Sequence, residues 1–558
     1  MTVDFFHAHQ DTLEQALKAI QTREYWTPFP EMPSPRVYGE DAAAQGQATF
    51  EAYQNSTFPL ELDGATQYVG QERSPYGFDL KVRYPALDAQ TLIDQSSLAL
   101  DSWREAGPKA WVGVCLEALH RLNKQSFTIA NAVQHTSGQA FMMAFQAGGP
   151  HAQDRGLEAV TYAWQEMSRI PALANWVKPQ GKHDPIDMQK QFTVVPRGIG
   201  LVIGCSTFPT WNSYPGLFAS LATGNTVIVK PHPGAILPLA ITVKILREVL
   251  VEAGFNPNVV LLAAHDADSE LAQQLSMHPE VKIIDYTGSS ATGNYLEQHA
   301  RQALVYTEKA GVNQIIIDSA PDIKAVARNL AFSFALYSGQ MCTAPQNIYV
   351  PKDGIQTDEG HLSFDEVCAA LGQAVERLCS TPERAVEITG ALQNDATAAR
   401  IQQAKALGLE VIVDSQPLAH PVYPEARTAT PLLLKTEATN PQIMQEWFGP
   451  IIFVVATDST EHSIQLAGET VREHGALTLS AYTIDAATAT KVRKMAERSG
   501  VSLSLNLTGA VFINQTAAYS DFHGTGANPA ANAALSDSAY VSNRFRVVQT
   551  RWHTEQSL

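Results

Sequence analysis

Gly200-Leu201-Val202-Ile203-Gly204, a short apolar run closed by glycines, decides the fold through what repeats after it. A helical segment follows through Leu221, then a second run, Asn225-Thr226-Val227-Ile228-Val229-Lys230. A helix from about Leu237 to Ala253 ends at Gly254, and Val259-Val260-Leu261-Leu262-Ala263 repeats the strand. Lys282-Ile283-Ile284-Asp285-Tyr286 is the fourth. Short apolar strands alternating with amphipathic helices form a parallel sheet covered on both faces, so this unit is a doubly wound α/β fold. A second series runs from Asn313-Gln314-Ile315-Ile316-Ile317 to about Leu505 and predicts a second α/β domain.

Upstream, Leu87 to about Ile170 has apolar residues at three- and four-residue spacing, an all-helical lead-in. Residues 27–85 are punctuated by Pro, Gly and Ser (TPFPEMPSPRVYG, ERSPYGFDL) and read as an extended arm with little regular structure. Gln189–Val195 and the remote RFRVVQTR stretch at 544–551 are β-rich and isolated, the pattern of a joining surface, and predict a homo-dimer or tetramer.

The chain has 558 residues, more than one core accommodates. Its 39 Lys and Arg against 56 Asp and Glu give a net charge of −17, which disfavours nucleic acid and anionic membrane as partners. No apolar run approaches a membrane span, and the acidic, amphipathic N-terminus is unlike a signal or transit peptide, so a cytoplasmic location is expected. Five cysteines, far apart and without a CxxC pair, argue against a disulfide framework or a zinc site; no metal is expected.

Ligands of an open parallel sheet sit outside the carboxyl ends of its strands. The loop Asp285-Tyr286-Thr287-Gly288-Ser289-Ser290-Ala291-Thr292-Gly293 follows a strand and opens a helix, so its N–H groups can meet a pyrophosphate. Lys230, at the end of its strand, can point into the same cleft. Taken singly, the first is equally a capped turn and the second a surface lysine. Gly198-Ile199-Gly200 precedes its strand and is a plain turn. Cys342 lies in Ser338-Gly339-Gln340-Met341-Cys342-Thr343-Ala344-Pro345, whose small and polar residues leave room for a substrate. Buried cysteines are ordinarily packing, and Cys115, Cys368 and Cys379 fit apolar positions of helical patterns. Glu308 in Thr307-Glu308-Lys309-Ala310-Gly311 could reach the cleft or simply pair with Lys309.

GNTVIVKP, YTGSSATG, the Glu308 motif, GQMCTAP and Glu446-Trp447-Phe448-Gly449-Pro450 occur in the order and spacing of the aldehyde dehydrogenase superfamily, which the chain resembles over roughly residues 85–555. The interval of 34 positions from Glu308 to Cys342 matches that spacing. Thr207-Phe208-Pro209-Thr210-Trp211-Asn212-Ser213-Tyr214-Pro215 and Asp521-Phe522-His523-Gly524-Thr525-Gly526 resemble its phenylacetic acid degradation branch. With the resemblance, the chain is expected to divide into a Rossmann-like cofactor-binding domain at 86–310 and a catalytic domain at 311–505, beside the N-terminal extended arm at 1–85 and the oligomerisation β arms at 180–196 and 535–558 read from their own residues. It makes Cys342 the nucleophile and Glu308 the base for hydrolysis. Lys230 would contact the adenosine ribose, and Gly288 and Ser289 the pyrophosphate, with Gly293 in the same loop. Thr287 would lie under the nicotinamide, and Glu446 and Phe448 at its ribose. The implied reaction is NAD(P)-dependent oxidation of a small aldehyde to an acid. The implied substrate is a semialdehyde of aromatic-acid catabolism, free or linked to coenzyme A.

Three positions depart from the family pattern. Thr207 stands where most members have an oxyanion-binding Asn; Asn212, five residues on, is an alternative donor, although that register puts it on the substrate side. Pro233 replaces an acidic residue three after Lys230, which favours NADP over NAD, because a carboxylate there would repel the 2′-phosphate. DFHGTGANPAANAA replaces a glycine-rich segment and predicts an altered substrate mouth. Two rival readings are an acylating dehydrogenase, in which coenzyme A resolves the thioester, and a catalytically silent binding protein. Glu308 argues against the first, and retention of Cys342 with Glu308 against the second.

Overall fold

The computed structural model describes residues 4–309 and 311–555; Met1–Val3, Ala310 of the Glu308 motif and the last three residues of the C-terminal arm lie outside them. Five strands, β1 (Ile199–Ile203), β2 (Thr226–Lys230), β3 (Val260–Leu262), β4 (Val281–Thr287) and β5 (Leu304–Glu308), form an all-parallel sheet in the order β3-β2-β1-β4-β5. Their connections are the helices Pro209–Ala222, Leu237–Glu252, Leu271–Met277 and Ser290–His299. The first three strands are buried throughout, which is why their sequences read as unbroken apolar runs. The strand absent from the sequence reading is β5, Leu-Val-Tyr-Thr-Glu, an edge strand half-buried over its first three residues and too polar to register as a run.

The second sheet has seven strands: β6 (Gln314–Ile317), β7 (Asn347–Pro351), β8 (Glu410–Val413), β9 (Leu432–Glu437), β10 (Ile451–Thr457), β11 (Thr478–Tyr482) and β12 (Ser502–Leu505). Their order is β8-β9-β10-β7-β6-β11-β12, parallel except for the edge strand β8. Separate apolar clusters cover its two faces.

The lead-in is helical, at Ala89–Lys124, Ser126–Ser137, Phe141–Gly148 and Pro150–Ser168. The first of these is two helices meeting at Gly107 (φ +78°) and Pro108. The expectation of an extended arm before residue 85 needs correction: Gln10–Thr22 and Ala42–Tyr53 are helices, and Leu13, Ile20 and Phe50 are buried in the main core. The Pro and Gly residues there do not exclude helices: the two end at Arg23 and Gln54, and Pro35 opens a short turn of helix between them. The β arms also differ in extent. Leu173–Gln180 and His183–Pro196 form a hairpin onto which Phe545–His553 pairs, an antiparallel three-stranded sheet in the order 545–553, 183–196, 173–180. Residues before 545 instead contain a short helix, Ser538–Ser542. No helix among the described residues is long and apolar enough to cross a membrane.

Candidate active site

The strand order of the first sheet reverses between β1 and β4, and a crevice opens outside the carboxyl ends of strands at such a point. Here it is a cavity of about 880 Å³, lined from the first sheet by Thr207, Lys230, Thr287, Gly288, Ser289 and Glu308, and from the second by Cys342, Glu446 and Phe448. Nine of the ten site residues expected from the sequence therefore share one cavity. Gly293 does not. It lies one turn into the helix Ser290–His299, where a Cβ would come within 2.5 Å of Lys309 Cγ, so its smallness serves helix packing.

Cys342 stands on a loop held by its own neighbours. Tyr337, Ser338 and Gly339 all have left-handed backbone (φ +51°, +49° and +63°), which costs energy for the two that carry a Cβ and persists because the surroundings fix it. The Tyr337 hydroxyl donates to the Ser137 carbonyl at 2.5 Å, Ser338 Oγ to Thr389 O at 3.1 Å, and Gln340 Nε2 to Ala391 O at 3.1 Å. Asn313 Nδ2 donates to the carbonyls of Cys342 (2.8 Å) and Ala344 (2.9 Å). The nucleophile candidate is thus delivered between the helix Ile323–Ala335 and β7 on a rigid turn.

Glu308 closes β5 with only 1% exposure. Asn212 Nδ2 donates to its Oε2 at 2.8 Å, and His523 Nε2 lies 3.0 Å from its Oε1. The same His523 nitrogen is 3.5 Å from Cys342 Sγ. Burial acts to raise the Glu308 pKa, but the adjoining His523 and the hydrogen bonds that the carboxylate accepts from His523, Cys342 and Asn212 hold it below the ordinary carboxylate value. Burial first, then the Glu308 charge, hold the Cys342 thiol well above its ordinary value. The resting pair is therefore thiol and carboxylate, with the base beside the proton it would remove.

On the cofactor side, burial lowers Lys230 to about 8 and raises Glu446 to about 7. Gly288 leaves space beside Tyr286, whose hydroxyl a Cβ would meet at 2.5 Å. Ser289 caps the helix Ser290–His299, its Oγ accepting from Thr292 N at 3.4 Å, so this helix begins at the cavity.

A family model described as "Aldehyde dehydrogenase family" matches residues 83–520. The chain belongs to the aldehyde dehydrogenase family. A solved structure, the NAD-dependent aldehyde dehydrogenase from Burkholderia multivorans, is 61% identical, covers 99% of this chain and 100% of its own, and superposes with a TM-score of 0.98. The 1-pyrroline-5-carboxylate dehydrogenase from Thermus with bound NAD shares the fold at 16% identity, TM-score 0.72, over 95% and 99% of the two chains. A putative aldehyde dehydrogenase of Gibberella fujikuroi is 29% identical over 53% of this chain, a match that spans 62% of that relative's length.

Two members of the constellation escaped the sequence reading. Asn212, weighed only as an oxyanion donor, lines the cavity and donates to Glu308. His523 lies 181 residues from the cysteine it faces, and the altered C-terminal segment was the only signal for it. The cysteine spacing argued against a metal site, yet Cys342, His523 and Glu308 bring one ligand atom each within 4.8 Å of one another. His523 Nδ1 is buried without a partner, so the outer hydrogen bond that orients a metal-bound imidazole is missing. Thr207 lines the cavity; its hydroxyl faces Cys205 Sγ at 3.8 Å and its carbonyl accepts from Gln139 Nε2 at 2.8 Å.

Proposed function

We propose that the protein oxidises an aldehyde to a carboxylic acid with a nicotinamide dinucleotide, with Cys342 as nucleophile and Glu308 as base. The observation that carries this reading is the placement of Glu308 and Cys342, from different sheets, on one cavity with His523 bridging them. The cavity suits a dinucleotide: Lys230 supplies a cation near the ribose, the N-terminus of the helix Ser290–His299 and Gly288 an approach for pyrophosphate, and Glu446 a carboxylate for the second ribose. When bound, the nicotinamide supplies the hydride acceptor.

The protein's own steps follow from the site. The Cys342 proton passes to Glu308 as sulfur adds to the aldehyde carbonyl, giving a thiohemiacetal whose oxyanion requires a nearby donor, the role assigned to Thr207. Oxidation leaves a thioester on Cys342. Glu308, having passed the thiol proton on to solvent, takes a proton from water as the water attacks the thioester carbonyl; the C–S bond breaks, the Cys342 sulfur leaves as the thiolate and the acid departs. We assign residues 86–310 to cofactor binding and 311–505 to catalysis.

The finer reading is that the substrate is a semialdehyde of aromatic-acid catabolism, free or as a coenzyme A thioester, as the resemblance of the Thr207–Pro215 and Asp521–Gly526 stretches to phenylacetic acid degradation proteins implies. Phe208, Trp211, Tyr337 and Met341 cluster beside the site, an apolar surroundings that favours an aromatic or hydrophobic substrate. The three-stranded arm is proposed to pair with a second copy.

A panel of aldehydes, including coenzyme A-linked semialdehydes, followed by reduced-cofactor absorbance tests the activity. Cys342→Ser should abolish it, because a hydroxyl ionises far less readily than a thiol. Glu308→Gln should give one burst of reduced cofactor equal to the active sites and then stall as a thioester. Undiminished turnover in either variant refutes the assignment, and rescue of Glu308→Gln by coenzyme A alone would favour an acylating dehydrogenase.

A further inference from the structure

His523 is 3% exposed, with Trp211 edge-on to its ring at 4.5 Å between centroids. Its loop is pinned from behind: Arg155, itself buried and paired with Glu158 at 2.7 Å, donates to the Asp521 carbonyl at 3.0 Å. Nε2 stands 3.0 Å from Glu308 Oε1 and 3.5 Å from Cys342 Sγ, while Nδ1 is buried with no partner. A proton on Nδ1 would be a buried donor with nothing to bond, so the neutral ring carries its hydrogen on Nε2. That single hydrogen has two acceptors within reach and can serve one at a time.

We propose that His523 is a further catalytic residue, a neutral imidazole whose Nε2–H is shared between the Glu308 carboxylate and the Cys342 thiolate and follows the negative charge from one to the other. As the thiol proton leaves Sγ for Glu308, the carboxylate becomes neutral and releases the Nε2–H, which turns to the new thiolate. One S–H bond breaks, one O–H bond forms, and His523 neither gains nor loses a proton. The titratable groups facing the thiol are Glu308 from β5, His523 from the C-terminal loop, Cys205 from the loop after β1 and Glu446 from the loop before β10. Both carboxylates oppose the thiolate, so a neutral donor at this point has a large effect on how readily the sulfur ionises.

The inference rests on Cys342 being the nucleophile, but its test needs neither aldehyde nor nicotinamide. Iodoacetamide alkylation of Cys342, followed by peptide mapping across pH, reads the thiol's ionisation directly. His523→Leu should move the midpoint up by a unit or more, slowing alkylation near neutral pH about tenfold. His523→Gln, whose side-chain amide nitrogen can occupy the Nε2 position, should recover a rate within about threefold of wild type. A His523→Leu profile that superimposes on wild type overturns the proposal. So does a folded His523→Gln protein that alkylates tenfold slower, since that means the ring acts as a base. If His523→Leu fails to fold, the His523→Gln profile alone carries the decision. Activity in Cys342→Ser would instead sink the proposed function and leave the alkylation result standing.

Discussion

A single side chain at the end of β2 bears on cofactor choice. Pro233 lines the cavity two residues past Pro231, beside Lys230 and His232. It offers neither a hydrogen bond to a ribose 2′-hydroxyl nor a charge against a 2′-phosphate, so NADP should give the higher kcat/KM. The 61% identical relative is described as NAD-dependent, which makes the comparison of the two cofactors at fixed aldehyde decisive. A clear NAD preference refutes the expectation; if NADP is preferred, Pro233→Glu should shift the ratio toward NAD about tenfold or more, the equivalent of at least ~1.4 kcal/mol. Residues of this kind were legible in the sequence because each sits at a strand end or in a short motif whose neighbours fix its position. His523 and Asn212 were not, since their roles depend on a meeting of distant segments. Gly293 lies off the cavity lining, and a glycine in a helix's first turn looks alike in the sequence whether it admits a phosphate or a neighbouring lysine stem.

At the scale of elements, the turn that presents Cys342 rests on conformations most side chains avoid. Gly339 has φ +63°, and a Cβ there would sit 2.4 Å from the Gly449 carbonyl oxygen. Gly339→Ala should therefore destabilise the protein by about 1–3 kcal/mol, and because Gly449 precedes the strand after Phe448, the displacement should reach both catalytic and cofactor sides. A lowered denaturation midpoint together with slower Cys342 alkylation is the expected result; a variant matching wild type in both would show that the turn tolerates the change. Strands buried on both faces were visible as apolar runs, whereas β5 was hidden by its tyrosine, threonine and glutamate. The helix Ala42–Tyr53 was hidden by the prolines and glycines on either side of it, and its Phe50 was the one strong clue to burial.

At the scale of the molecule, the arm sheet has an unusual surface. Leu173, Val177 and Val548 are exposed, and cross-strand partners place them opposite Gln191, Asp187 and Thr193, positions separated by even steps along one strand that share one face. A second copy is the proposed cover for that face. Leu173→Asp with Val548→Asp should lower the mass measured by size-exclusion chromatography with light scattering, leaving Cys342 alkylation unchanged; an unaltered mass would place the interface elsewhere. The pairing within this sheet also has a consequence in time. The strand 183–196 finds its neighbour 173–180 at once, but the other edge waits for 545–553, roughly 350 residues later. At translation rates of about 5–20 residues per second, that leaves the edge uncovered for on the order of 20–70 s on every ribosome. A messenger truncated shortly after residue 534 would encode every proposed catalytic group and still release a chain with an open, apolar-flanked strand edge, a template for aggregation rather than a smaller enzyme.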